Sequence, residues 1–226
     1  TAPPRKLAIE VNADDKSYTE KSVTFAKDAT EFALNPDEDA AVFAVQGELF
    51  LVGLPGGGKA TRLTDSPAFH HAATFSPDGK SILFLSDRTG HEDVYLLQPD
   101  DPEHPELTKA HKFKVKRLTC TPEAELGPLL SPKGDRIAFI RAGKLWTMQP
   151  DGVDQREPIS DTLAIDYDWS PDGKMIVYSR LDGSFASELF VVSVDGKSPP
   201  RNITRYATYN SDVSWSRTGN QIGFIA

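Results

Sequence analysis

The sequence predicts an all-β protein: a β-propeller of four-stranded antiparallel blades. Three observations predict it. A short turn phrase recurs along the chain, each copy is followed by the same series of short apolar strands, and no segment carries a helical hydrophobic period. The phrase is an aromatic residue or Leu, then Ser or Asn, Pro, a charged residue and usually Gly. It reads Leu34-Asn35-Pro36-Asp37, Phe75-Ser76-Pro77-Asp78-Gly79-Lys80, Leu130-Ser131-Pro132-Lys133-Gly134 and Trp169-Ser170-Pro171-Asp172-Gly173-Lys174, with a degenerate fifth copy at Trp215-Ser216-Arg217-Thr218-Gly219. Its third position falls at 36, 77, 132, 171 and 217, giving spacings of 41, 55, 39 and 46 residues. Three of these sit near the 40–45 residues of a propeller blade, and the 55 is a blade with an insertion.

Within each copy the order of elements is constant. An apolar segment enters the turn, where Pro presets φ, Asp bonds nearby backbone and Gly accepts positive φ. A second strand follows at Ala41–Val45, Ile82–Leu85, Ile137–Ile140, Ile176–Ser179 and Ile222–Ile225. These runs are continuously apolar, as expected where both faces of a sheet are covered. Polar turns such as Asp87-Arg88-Thr89-Gly90 and Asp182-Gly183-Ser184 lead to a third strand: Glu48–Val52, Val94–Leu97, Lys144–Met148 and Glu188–Val192. A fourth, short strand ends in Leu-Thr or Ile-Thr at Arg62-Leu63-Thr64, Arg117-Leu118-Thr119 and Asn202-Ile203-Thr204, and is weaker at Pro158-Ile159-Ser160. The expected blades are 28–67, 68–122 with an insertion at 98–116, 123–162, 163–206 and a truncated 207–226. About five blades are therefore expected, an incomplete six- or seven-bladed ring forming an open arc for which a second copy is a candidate partner. Residues 1–27 lie outside the repeat. Leu7, Ile9 and Val11, then Val23 and Phe25, alternate with polar residues, so one or two strands are expected there, either completing the last blade or belonging to a preceding domain.

The phrase Phe-Ser-Pro-Asp-Gly-Lys at 75–80, followed by Ile82 to Gly90 and Val94-Tyr95-Leu96, resembles the propeller repeat shared by TolB and the tricorn protease family. Gly47-Glu48-Leu49-Phe50, Arg62-Leu63-Thr64-Asp65-Ser66-Pro67 and Asp166-Tyr167-Asp168-Trp169-Ser170-Pro171 point more closely to bacterial tricorn-like proteins. The resemblance spans about residues 28–226. It departs at Glu38-Asp39, Lys133 and Arg217-Thr218, which weaken single turns and keep the layout. It implies propellers that precede a PDZ domain and a serine peptidase module and that filter or channel peptides toward it. The expected role is thus a non-catalytic part of such a peptidase, with peptides or unfolded polypeptide, and the PDZ and peptidase domains of the same polypeptide, as partners. A TolB-like protein-interaction scaffold without peptidase is the alternative. The chain stops inside the second strand of a blade and so reads as a piece of a longer polypeptide.

Composition excludes several other classes. Thirty-three acidic against 25 basic residues give a net charge of −8, the wrong sign for a nucleic-acid footprint. Apolar runs stay far below the ~20 residues of a membrane span. A single cysteine, Cys120, rules out an intrachain disulfide, which suits a cytoplasmic or a periplasmic location of bacterial type.

Catalytic and cofactor motifs fare poorly. Gly53 to Lys59 matches G-x-x-x-x-G-K, but Ala60 follows and strands flank it, so a hairpin turn is expected rather than a phosphate loop. The five histidines, His70, His71, His91, His104 and His111, lack zinc-type spacing, and no metal or other cofactor is expected. No nucleophile elbow occurs, and Ser76, Ser131, Ser170 and Ser216 are accounted for by the turns. The candidates for contact with a peptide or the central channel are His70 and His71 on one innermost strand, Asp166 and Asp168 at i, i+2 on another, and Asp212 on the fifth. The competing assignment for the carboxylates is hydrogen bonding between blades. In the insertion, an acidic Pro-rich half (Asp100 to Glu106) precedes a basic half (Lys109 to Arg117), where lysines alternate with Phe113 and Val115 as on a protected edge strand.

Overall fold

The computed structural model describes residues 28–54, 59–156, 163–181, 186–205 and 209–226. Residues 1–27, Pro158-Ile159-Ser160, the tip of the Gly-rich turn and the 182–184 turn lie outside the described residues. Seventeen strands and no helix make up the described chain. They fall into five antiparallel meanders, each ordered as in the sequence. The first holds β1 (Ala29–Leu34), β2 (Ala40–Val45), β3 (Glu48–Gly53) and β4 (Thr61–Arg62). The second holds β5 (His70–Phe75), β6 (Ile82–Ser86), β7 (Asp93–Pro99) and β8 (Phe113–Arg117). The third is β9 (Glu125–Leu130), β10 (Ile137–Arg141) and β11 (Lys144–Met148), with one isolated bridge from Thr147 to Arg156. The fourth is β12 (Leu163–Trp169), β13 (Met175–Leu181), β14 (Ser187–Ser193) and β15 (Arg201–Asn202), and the last pair is β16 (Ser211–Trp215) with β17 (Ile222–Ile225). The irregular part of the insertion is shorter than its sequence suggests, because β7 runs on to Pro99 and β8 starts at Phe113.

The core lies between the sheets. Ala40, Val42, Leu49 and Leu51 of the first meet Ile82, Phe84, Tyr95 and Leu97 of the second. The opposite face of the second, through Leu83, Leu85 and Val94, meets Ile137, Phe139 and Met148. Ala138, Ile140 and Leu145 then meet Tyr167, Trp169, Ile176 and Tyr178, and Val177, Leu189 and Val191 meet Val213. Alternate residues of β6 thus serve two neighbours, which is why the strand is apolar at every position but its last. Each sheet is stable only against its neighbours, the energetic signature of a repeat protein.

The turn phrase works by one hydrogen-bond pattern. Ser76 Oγ donates to Asp78 and accepts the Ser81 N–H, while the Gly79 N–H donates to the Ser76 carbonyl. Ser170, Asp172 and Met175 repeat it. Where Lys133 replaces Asp, Ser131 donates instead to Asp135 at 2.6 Å, two residues further on. Asn35 turns to Asp39 in the same way, and Ser216 to Asn220. Glu38 stands where other copies have Gly and is held at φ 58°.

The Leu-Thr endings have an equally local cause. Thr64, Thr119 and Thr204 accept the N–H of Leu49, Val94 and Leu189 through their hydroxyls, tying the end of the fourth strand to the start of the third. Thr119 joins Asp93 and Glu125, both fully buried, and these are bound in turn by Arg117 and Arg141. Burial raises the Glu125 carboxyl pKa, and its threonine and Arg141 partners oppose the rise.

Candidate polypeptide-binding rim

The innermost strands β1, β5, β9, β12 and β16 begin at one end of the assembly and run into the Pro-Asp-Gly turns at the other. A backbone bond sets the start of β5 and of β12: the His70 N–H donates to the Gly47 carbonyl and the Ala164 N–H to the Gly143 carbonyl, in the β2–β3 and β10–β11 turns of the preceding sheets. Gly47 and Gly143 have φ of 81° and 72°, and the neighbouring sheet presses on them. A Cβ on Gly143 would lie 2.6 Å from Leu163 Cδ2, and one on Gly47 3.0 Å from Phe69. Phe69 and Leu163 therefore lie across these turns at the rim.

Six and four residues before the phrase's first position, the same rim positions recur. Phe69, Leu163 and Tyr209 occupy the first, and His71, Leu126 and Ile165 the second. Phe69, Leu126, Leu163 and Tyr209 are between 50% and 56% exposed, and Ile165 is 39% exposed. Single exposed apolar residues are ordinary, but this series recurs at equivalent places on four adjacent inner strands. His71 sits among them, its Nε2 2.8 Å from Glu92 Oε1 and its ring 5.2 Å from that of Phe69 and tilted against it by 37°.

Three of the remaining sequence-predicted residues, His70, Asp166 and Asp168, are taken up by the fold. His70 is fully buried, its Nε2 2.9 Å from Ser66 Oγ and its ring edge-on to Phe84. It offers a ligand no surface, which corrects its assignment as a channel residue: the alternation of β5 sends His71 outward and His70 into the core. Burial lowers the His70 pKa, with Arg88 acting in the same direction. Asp166 and Asp168 are also spent within the fold. Their Oδ2 atoms each accept a backbone N–H from β16, Val213 and Trp215 respectively, both at 2.7 Å, and their Oδ1 atoms cap the residue that follows. Glu31 does the same between the first two sheets, accepting the Ala72 N–H at 2.7 Å. The hydrogen-bonding assignment therefore accounts for both aspartates, and burial raises the Asp168 carboxyl pKa. Asp212, at the equivalent place in β16, is exposed and accepts only the Ser211 hydroxyl among the described contacts.

The Ser66–His70 contact lacks the geometry of a catalytic pair. Glu48 lies 3.9 Å from the same Nε2 that faces Ser66, and Nδ1, which an orienting carboxylate would hold, has no partner. The histidine is sealed from substrate. The strands on either side of the Gly-rich segment, β3 and β4, pair antiparallel through Phe50–Arg62 and Leu51–Thr61, whereas a phosphate loop leads from a strand into a helix. At the opposite end of the strands, a cavity of about 390 Å³ between the second and third turn phrases is lined by Ser76, Asp78, Gln98 and Lys133 and holds no nucleophile–base pair.

Sheets of four short strands, stacked through apolar faces with their first strands adjacent, define a β-propeller. The family model for the TolB beta propeller domain matches residues 15–219, and the chain belongs to that family. Among curated relatives, dipeptidyl-peptidase 5 of Porphyromonas gingivalis is 33% identical over 200 residues, covering 66% of this chain and 29% of that protein. Among solved structures, TolB from Acinetobacter baumannii superposes with a TM-score of 0.61 at 23% identity, covering 82% of this chain and 46% of that one. The tricorn protease superposes with a TM-score of 0.62 at 10% identity, covering 89% and 20%, a likeness of fold alone. The chain spans less than half the length of each of these proteins. Among the described residues no helix is long and apolar enough to cross a membrane.

Proposed function

We propose that the chain is a non-catalytic, polypeptide-binding propeller, the filtering or channelling portion of a tricorn-like serine peptidase whose PDZ and peptidase modules are separate from these blades. The observation that carries the reading is the rim: exposed Phe69, Leu126, Leu163, Ile165 and Tyr209 repeat around the inner strands, while the buried carboxylates and His70 are consumed by the fold. Side chains of this kind hold extended, apolar peptide segments by burial, each contributing about 1.5–3 kcal/mol when fully covered. Asp212 and the His71–Glu92 pair supply polar contacts for peptide termini at the same rim. The likeness to a dipeptidyl-peptidase favours a peptidase context.

Fluorescence anisotropy with a labelled, apolar ten-residue peptide tests this. Wild-type protein binds without cleaving, and Leu126→Ser with Ile165→Ser weakens binding by about tenfold or more. Equal binding by the double variant removes the rim from the account. Cleavage of the peptide, lost in Ser66→Ala, would falsify the non-catalytic reading. A second reading rests on the family itself: a TolB-like scaffold that binds folded proteins. It is favoured if the rim variants lose a folded partner while the peptide binds neither form.

A further inference from the structure

We propose that the insertion between β7 and β8 carries a binding site for a divalent transition-metal ion of the zinc type, formed by Asp101, His104 and His111. One carboxylate oxygen and one ring nitrogen from each histidine lie within 4.8 Å of one another. His104 Nδ1 and Asp101 Oδ2 are 3.3 Å apart. With zinc–nitrogen and zinc–oxygen bonds of about 2.0–2.2 Å, two ligands of a tetrahedral ion stand roughly 3.3 Å apart. Two of the three ligands therefore already have the spacing of one coordination edge. The His104 and His111 rings are 5.0 Å apart between centroids. His111 is exposed, so a side-chain rotation closes the remaining distance without moving backbone.

The loop is built to hold this arrangement. Leu107, between the two histidines, is 3% exposed and belongs to the apolar core between the first two sheets, and Ala110 is buried beside it. The Asp100 N–H bonds the Lys112 carbonyl, closing the loop's base. Asp101 Oδ1 accepts the Glu103 and His104 N–H groups, and its Oδ2 accepts the His111 N–H, so the carboxylate is oriented by the backbone of both histidines. Three ligands leave the fourth tetrahedral position to water, the pattern of an exchangeable rather than a sealed site. Imidazole with carboxylate suits zinc, copper or nickel and is a poor cage for calcium or magnesium, which take oxygen ligands. The lysines of the basic half lower the affinity by charge, and Lys109 is offset by its 2.8 Å pair with Glu106.

Isothermal titration of the 226-residue chain with zinc sulfate, after treatment with a chelator, tests the site. One ion per chain is expected. His104→Ala and His111→Ala each weaken binding at least about tenfold, and His91→Ala, an exposed histidine outside the cluster, leaves it unchanged. Cobalt substitution gives the intense visible absorption of a tetrahedral ion in wild type and loses it in the two variants. Matching circular dichroism spectra of all forms separate loss of ligand from loss of fold. Absence of zinc binding by the wild type, or binding equal in wild type and the two variants, overturns the proposal.

Discussion

Replacing Asp166 and Asp168 by alanine removes the two carboxylates that hold the last sheet. Each accepts one β16 N–H at 2.7 Å, from Val213 and Trp215. A hydrogen bond to a charged acceptor contributes about 1.5–3 kcal/mol net, and a deprived N–H loses its partner outright. Burial raises the Asp168 pKa, so part of its gain is offset by desolvation and the lower end of that range applies, about 2 kcal/mol. The rest of the hold on β16 and β17 is apolar. From that sheet Val213 is buried, with Trp215 and Ile222 partly buried beside Met175. Partial burial of three such residues supplies on the order of 4 kcal/mol. An isolated two-stranded sheet is marginal by itself. The two aspartates therefore supply a share of the docking energy comparable with that of the apolar contact.

Amide hydrogen exchange reads this directly, because local opening of a repeat protein reports the local free energy. Asp168→Ala should lower protection of the 211–225 segment about 30-fold, the equivalent of about 2 kcal/mol. The double variant should lower it further, by less than the product of the two single effects because the sites are adjacent. Segments 82–99 and 137–148 should keep wild-type protection. Asp168→Asn, which retains an acceptor oxygen without the charge, should lose less than alanine. Wild-type protection of 211–225 in the double variant would refute the idea that the carboxylates latch the sheets.

Three other outcomes follow from the same geometry. Thr119→Val deprives the Val94 N–H of its acceptor and leaves buried Asp93 and Glu125 without their shared hydroxyl, at about 2–3 kcal/mol; the urea midpoint should fall with the slope unchanged, and Thr119→Ser should restore most of it. Glu38→Gly relieves a left-handed residue at φ 58° and should raise stability by about 0.5–1 kcal/mol, after the entropic cost of glycine, measured by the same titration. Ser76 first, then the Lys80 N–H, holds the Asp78 pKa below 3.8 in the folded state despite the opposing effect of burial. Its stabilisation is present above the unfolded pKa and is lost as pH falls through the folded value. Asp78→Asn should accordingly flatten the acid limb of a melting-temperature profile below about pH 4, and an unchanged acid limb would count against the assignment.

The architecture was legible because its causes are local. Pro-Asp-Gly chemistry, the apolar run of β6 and the Leu-Thr endings are each decided within a few residues, and the spacing of 41 between Pro36 and Pro77 repeats them at blade length. What escaped the sequence were relations between residues on different strands or outside the repeated phrase. Asp135 replaces the missing aspartate of the third turn from two residues beyond the expected place. The rim of Phe69, Leu126, Leu163, Ile165 and Tyr209 emerges only when inner strands are aligned on the turn phrase and their exposure is known. The Asp101, His104 and His111 cluster has no regular spacing, because a loop anchored by Leu107 and not a helix brings its members together.

The fate of the acidic residues explains why the best sequence candidates for binding were structural. A propeller stacks sheets through apolar side chains, and apolar contact tolerates sliding between neighbours. The bulges in β5 and β16, at left-handed Ala72 and Asp212, interrupt the ladder and turn N–H groups toward the preceding sheet. An acidic side chain on that sheet fixes the register that the greasy faces leave loose, as Glu31, Asp166 and Asp168 each do. Position and charge thus identify latches before they identify ligand contacts. Asp212 occupies in β16 the place that Asp166 occupies in β12, three residues before the tryptophan of the turn phrase, so the same latching role is the first assignment to test for it.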